Sequence, residues 1–224
     1  MCGRFVLFAS DDEVMTLPGF ENIYAPAGLP PARYNIAPTH IIPILRAGDT
    51  PTEGVIEPAR WGLIPAWKRD DTGTTALFNA RAETVQTKPS FKDAFMFNRC
   101  AIPMSGYYEW KNKKPWWITT TELVWVAGLW SVHQGRITAT MLTTAATPPL
   151  LDIHHRMPRF LRPEECHSWV FGPADQAASF LCPAPTGLVE KFQTAPANPA
   201  VGTVGNDYPE LLLPPEEPEN WELF

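Results

Sequence analysis

The sequence is poor in cysteine: four in 224 residues, with no Cys-x-x-Cys pair among them. That excludes a disulfide scaffold and leaves Cys100, Cys166 and Cys182 as reduced, mostly buried thiols that suit an intracellular compartment. The neighbours Cys166 and His167 lack the spaced second pair that a zinc site needs. The start of the chain lacks a basic stretch followed by an apolar run, so no secretory signal is expected. No uninterrupted apolar run is long enough to cross a bilayer as a helix. Internal repeats and long linkers are missing as well. Lysine and arginine stop at Lys191, whereas Asp207, Glu210, Glu216, Glu217, Glu219 and Glu222 follow it. The net charge of −6 therefore belongs to the end of the chain. Without those six of its 24 acids, the rest balances 18 acidic against 18 basic residues. An even body can still carry a basic cleft, so net charge does not exclude a polyanionic partner.

What is present is proline, 25 residues spread along the chain, together with apolar residues at 45%. Dispersed proline favours many short elements joined by rigid turns. The runs CGRFVLFA, HIIPILRA, PWWITTT, LVWVAGLWSV and RITATMLTTAA are rich in β-branched and aromatic residues and read as strands. SDDEVMTL reads as a short helix capped by Ser10, with Glu13 three residues on. SFKDAFMFN and RPEECHSWVF read as two more, the latter with Pro163 at its first position. WKNKKPWW reads as a hairpin. The expected class is α+β: one domain over 1–213 with a mixed, barrel-like sheet and a few short helices. An acidic, proline-rich surface tail follows over 214–224, with Trp221 available to dock it.

Four stretches carry chemistry. MCGRF places Cys2 directly after the initiator methionine. Trimming of Met1 leaves a thiol and a free α-amine on one carbon. FNARAET offers Asn79 and Arg81, and IHHRMP offers His154 and Arg156. With Cys2 and Arg4, these make three pairs in which an arginine follows two places after a reactive or hydrogen-bonding residue. In extended chain such residues share a face about 6.6 Å apart, close to the spacing of phosphates along a single strand. Guanidinium forks suit phosphate, although arginine is common enough for such pairs to arise by chance. In GYYEW a strand puts Tyr107 and Glu109 on one face and Tyr108 and Trp110 on the other. Glu109 then either works as an acid or base in apolar surroundings, with its pKa raised, or pairs with Lys111 or Lys113 at a strand edge. His155 beside His154 leaves open which imidazole works. In WGLIPAWK, Trp61 reads as core, and Trp67 reads as a loop indole able to stack on a base.

Together, MCGRF, RYNIAPT, WGLIPAW, NARAET, GYYEW, HHRMP and the late VGNDYPEL resemble the SRAP (SOS-response-associated peptidase) family of abasic-site processing proteins. The landmarks run in that family's order over almost the whole chain. The resemblance implies Cys2 as nucleophile, Asn79 beside it, Glu109 as acid/base and His154 as the second catalytic residue. It implies Arg4, Arg81 and Arg156 as phosphate contacts and Asn35 and Trp67 as further DNA-binding residues. The family often carries an acidic residue where this chain has His155.

The implied partner is single-stranded DNA containing abasic sites, bound by a monomer without cofactor, metal or membrane. The implied chemistry is a covalent thiazolidine between Cys2 and the open-chain sugar aldehyde, with lyase activity and peptidase-type removal of Met1 as companions. In an unperturbed chain the amine titrates at about 7.7–8.0 and the thiol at about 8.5. Some of each is then active near neutrality, and nearby arginines should raise that fraction. Two alternatives stay open. Glutamine amidotransferases with an N-terminal cysteine also begin MCG, but their arginine- and glycine-bearing glutamine pocket and synthetase domain are not seen. A damaged-DNA reader without chemistry needs the arginines and Trp67 but not Cys2.

Overall fold

The computed structural model describes residues 2–69 and 76–214. The tail expected over 214–224 lies, apart from Pro214, outside the described residues, as do Met1 and Trp221.

Twelve strands are described: β1 (Arg4–Leu7), β2 (Asn22–Tyr24), β3 (Arg33–Ile36), β4 (Ile41–Ala47), β5 (Glu53–Trp61), β6 (Asn79–Arg81), β7 (Arg99–Lys111), β8 (Lys114–His133), β9 (Arg136–Ala145), β10 (Arg156–Pro158), β11 (Phe160–Leu161) and β12 (Gln193–Pro196). They form one mixed sheet with the path β11-β8-β9-β5-β4-β7-β1-β3. Because β7 also pairs with β8, the path returns on itself and the core is barrel-like. The helices are short: α1 (Asp11–Met15), α2 (Lys92–Phe97) and α3 (Pro163–Phe171) are the longest described. The α+β class with a mixed sheet is therefore what the chain adopts.

Local chemistry explains the elements. Ser10 accepts from the Glu13 amide, and the Glu13 carboxylate accepts from the Ser10 amide, closing the expected capping box on α1. Pro163 stands in the first turn of α3, where its missing N–H costs nothing. The β7–β8 hairpin turns on Asn112 and Lys113, both at positive φ, as a tight two-residue turn requires. PWWITTT and LVWVAGLWSV prove to be one strand, β8, since no glycine or proline interrupts the polar residues between them. Its register with β7 shifts between Met104 and Gly106, and there a Cβ on Gly106 would run into the Trp117 ring. Only glycine lets the two strands approach so closely.

Two layers of core result. Phe5, Trp61, Tyr107, Met141, Met157 and Phe160 fill the inside of the ring. Val85, Phe91, Phe95, Trp125, Leu161 and Trp169 fill the space between the sheet and the helices. Arg99, at the start of β7, is buried in the second layer. Its guanidinium donates to the carbonyls of Phe95 and Met96 in α2, and to those of Trp169 and Gly172 at the end of α3. It thus closes the C-termini of two helices, where carbonyls have no intrahelical partner and positive charge is favoured.

Arg99→Ala leaves those buried carbonyls unsatisfied, at about 1–3 kcal/mol each. The expected loss is about 3 kcal/mol or more, which lowers the melting midpoint by roughly 6–12 °C in a chain of this size. Arg99→Lys recovers only part of it, because a point charge cannot reach four carbonyls as a planar fork does. Calorimetry on the two variants checks both statements.

Candidate active site

Strand β9 is the organiser of the site. Its first half pairs with β8 and β5. Its second half exchanges those partners for β6, with Asn79 opposite Met141 and Arg81 opposite Thr143, and for β10, with Arg156 opposite Ala145. That exchange brings two of the four chemical stretches together. The other two meet because β1 pairs antiparallel with β7, with Arg4 opposite Tyr108 and Phe5 opposite Tyr107.

An aromatic chain links the two halves. The Phe5 ring stands edge-on to Trp61 at 5.2 Å, and Trp61 stands edge-on to Phe78 at 5.8 Å. The Trp61 indole N–H donates to the Phe78 carbonyl at 2.9 Å. The next residue, Asn79, donates from Nδ2 to the carbonyl of Cys2 at 2.7 Å. Asn79 thus grips the backbone of the candidate nucleophile. Its Oδ1 is buried and without a hydrogen-bond partner among the described residues, an acceptor left for something else.

Cys2 belongs to the inner core and is 1% exposed. Burial, and after it the charge of Glu109, push its thiol pKa well above the ordinary range. This corrects the expectation that arginines activate the thiol: the group is held protonated. Glu109 is itself 4% exposed and lies on the inward face of β7 with Tyr107, while Tyr108 packs on the other face with Val6 and Val201. One carboxylate oxygen accepts from the Trp110 amide at 3.1 Å, and the other lies 4.0 Å from His154 Nδ1. The pairing with Lys111 or Lys113 is thereby set aside. Lys111 lies over the Trp116 ring, and Lys113 sits in the hairpin turn.

His154 answers the question of which imidazole faces the carboxylate. Its ring folds back on the next residue but one, so the extended pair expected of His154 and Arg156 does not form. The Arg156 amide donates to Nδ1 at 2.9 Å, and the Arg156 carbonyl is 3.2 Å from the same atom. In the neutral ring Nδ1 is thus the acceptor, and the proton sits on Nε2. Burial lowers the His154 pKa, Glu109 and the Arg156 carbonyl oppose that shift, and His155 adds to it. His155 is exposed and stacks on His154 with ring centroids 4.3 Å apart.

The arginines part company. Arg81 is exposed and shares the face of Asn79 on β6. Arg156 is committed internally: Nη1 and Nη2 bind the two Glu83 oxygens at 2.6 and 3.0 Å, and Nη2 also donates to the Thr143 carbonyl at 2.5 Å. Arg4 donates to the carbonyls of Val201 and Gly202 and to Asn35 Oδ1. Asn35 itself is 0% exposed and bonded within the protein. Its place among DNA-binding residues is corrected, because a side chain with no accessible surface cannot touch DNA. Trp67 is 62% exposed. Its neighbours are Pro65, Pro89 and Asp93, around a groove of about 180 Å³ at the start of α2. Glu83 and Thr143, which hold Arg156, were not singled out in the sequence, and nothing in NARAET or MLTTAA marks them. Among the described residues no group of three His, Cys, Asp or Glu side chains is placed to hold a metal.

The fold is one already seen. An X-ray structure of a protein from Bacteroides thetaiotaomicron matches it with a TM-score of 0.78 at 25% identity, over 95% of this chain and 99% of that one. The chain belongs to the SOS response associated peptidase (SRAP) family, whose family model matches residues 1–204. Among its relatives is the abasic site processing protein YoqW of Bacillus subtilis, 33% identical over 95% of this chain and 99% of that protein. Another is the abasic site processing protein YedK of Escherichia coli, 30% identical over 96% of this chain and 100% of that protein.

The electrostatics predict a titration. Because folding lowers the His154 pKa, its contribution to stability is present above the unfolded value of about 6.5 and is lost as pH falls through the lower folded value. In an NMR titration its ring protons should shift below pH 6.5. Glu109→Gln, which removes the charge that favours the protonated ring, should move the midpoint further down. A midpoint that stays put or rises would show that Glu109 does not act on His154.

Proposed function

We propose that this protein processes abasic sites in single-stranded DNA by capturing the sugar aldehyde on Cys2 as a thiazolidine. The observation that carries the reading is the burial of Cys2 beside Glu109 and His154, with its carbonyl gripped by Asn79. The names of the relatives point to the same lesion.

The reading requires that Met1 be removed, and the peptidase in the family's description is taken narrowly as that self-processing. The steps then follow from the protonation states. In its imidazolium form, which the Glu109 charge favours, His154 gives a proton from Nε2 to the sugar ring oxygen while the C1′ hydroxyl proton passes to the Glu109 carboxylate, and the closed sugar opens to its aldehyde. The α-amine of Cys2 adds to C1′. The Glu109 carboxyl returns its proton to the departing hydroxyl, so that one water leaves and the iminium remains, while the thiol waits in its protonated form. Sγ then bonds to C1′, the thiol proton passes to the Glu109 carboxylate, and the iminium electron pair returns to nitrogen. Aldehyde and aminothiol have become a thiazolidine and one water. Asn79 Oδ1, buried and unpartnered, is placed to accept from the amine or a sugar hydroxyl. Arg81 and the exposed Trp67 supply a phosphate contact and a stacking face.

The test is a gel of protein incubated with single-stranded abasic DNA and heated in detergent. Wild-type protein should give an adduct that survives. Cys2→Ala keeps the amine and should give only an imine that borohydride traps. An alanine inserted between Met1 and Cys2 separates amine from thiol and should abolish the stable adduct. Glu109→Gln should slow capture by about 10²–10⁴-fold. A stable adduct from the inserted variant, or ammonia released from glutamine by the wild type, would overturn the reading.

A further inference from the structure

Arg4 is two residues from Cys2, and its guanidinium is held from outside the strand that carries it. Nη1 donates to Asn35 Oδ1 at 3.3 Å and to the Val201 carbonyl at 2.7 Å, and Nη2 donates to the Gly202 carbonyl at 3.4 Å. The group lies 5.9 Å over the Trp110 ring. A guanidinium has five N–H donors in a rigid fork. Bonds to the described residues occupy three of them, all on the two terminal nitrogens. The Nε–H and one Nη2–H are left, and together they form the side-on edge that binds a phosphate with two parallel bonds.

The carbonyls that hold Arg4 come from a segment near the end of the described chain, and that segment is itself fastened. Asn35 Nδ2 lies within hydrogen-bond distance of the carbonyls of Val201, Thr203 and Asn206, at 3.2, 3.0 and 2.8 Å. Asp207 Oδ1 accepts from the backbone amides of Tyr34 and Asn35 at 2.5 and 3.1 Å, and Oδ2 pairs with Arg33. Val201 is fully buried against Val6, Tyr108 and Leu211. Asn35 therefore touches both the arginine and the loop that holds it, and Asp207 pins the loop to β3.

We propose that Asn35 and Asp207 are positioning residues for Arg4: they fix the loop at 201–206, which holds the end of the guanidinium so that its side-on edge meets a phosphate of the bound strand. The proposal rests on the DNA reading above but not on the covalent chemistry.

The experiment measures non-covalent binding to an undamaged single strand as a function of salt, beside thermal melting. Arg4→Ala should flatten the slope of log K against log salt by about 0.7, the share of one phosphate on a single strand. Asn35→Ala should flatten it by the same amount while still melting cooperatively, and the double variant should lose no more than Arg4→Ala alone. A wild-type slope in Asn35→Ala or in Arg4→Ala, or effects that add in the double variant, would overturn the proposal. Where Asn35→Ala does not fold, Asp207→Asn serves. A slope between wild type and Arg4→Ala supports the assignment, and a wild-type slope overturns it. Failure of the thiazolidine reading alone would show as a missing adduct with these slopes unchanged in pattern.

Discussion

Everything in this structure turns on a thiol that must be buried at the second position of the chain. A chain end is ordinarily the least constrained part of a fold, since nothing precedes it to hold it down. Here β1 starts at Arg4 and lies between β3 and β7. Cys2 is carried past the strand's first pair into the inner core, and the Asn79 bond to its carbonyl fixes it. The proposed chemistry adds a second demand, that with Met1 removed Cys2 carry a thiol and an amine on one carbon. Only a strand wedged between two others can bury such a residue. The aromatic chain from Phe5 through Trp61 to Phe78 makes the two demands compatible, because it joins the strand behind Cys2 to the residue before Asn79.

Burial sets the charge states, and on the proposed reading these set the order of events. Desolvation raises a thiol pKa and lowers an imidazole pKa, so both groups lean toward neutrality in this site. Glu109 acts on both and in the same sense, favouring the proton on sulfur and the proton on the ring. A neutral imidazole is a poor acid, because losing its Nε2 proton leaves an imidazolate; the ring donates well only as imidazolium, the form that the Glu109 charge favours. A thiol kept protonated is a poor first nucleophile. On the proposed reading, the carboxylate that disfavours the thiolate is also the group that takes its proton at the iminium.

The sequence made some of this legible and hid the rest for identifiable reasons. The capping box at Ser10, Pro163 in the first turn of α3 and the hairpin at Asn112-Lys113 were readable because each is a local backbone requirement met by a local residue type. The period of two in GYYEW correctly placed Tyr107 and Glu109 inward. The four stretches were readable as candidates for chemistry, but not their joining, because β9 exchanges partners halfway along and nothing in RITATMLTTAA announces that. Strand β5 was missed because Glu57 and Pro58 break its apolar pattern. Asn35 was misread for a related reason. A carboxamide that binds DNA and one that binds a loop of its own chain look alike until the loop's carbonyls are seen around it.

The three arginines show most plainly why spacing alone misleads. Each follows a site residue by two positions, and an extended chain would align them as three equal phosphate contacts. Only Arg81 keeps its exposure on a regular strand. Arg156 sits where His154 has folded back, and a bidentate pair with Glu83 takes its charge. Arg4 is turned and held by carbonyls, which direct the fork without neutralising it, as a carboxylate would. A guanidinium held by neutral dipoles keeps its full attraction for an anion, whereas one paired with a carboxylate must give up that partner first. The three positions therefore rank, for attraction to a phosphate backbone, as Arg81 and Arg4 ahead of Arg156. In a chain whose body balances 18 acids against 18 bases, that internal ranking, rather than net charge, would decide where the proposed polyanion lies.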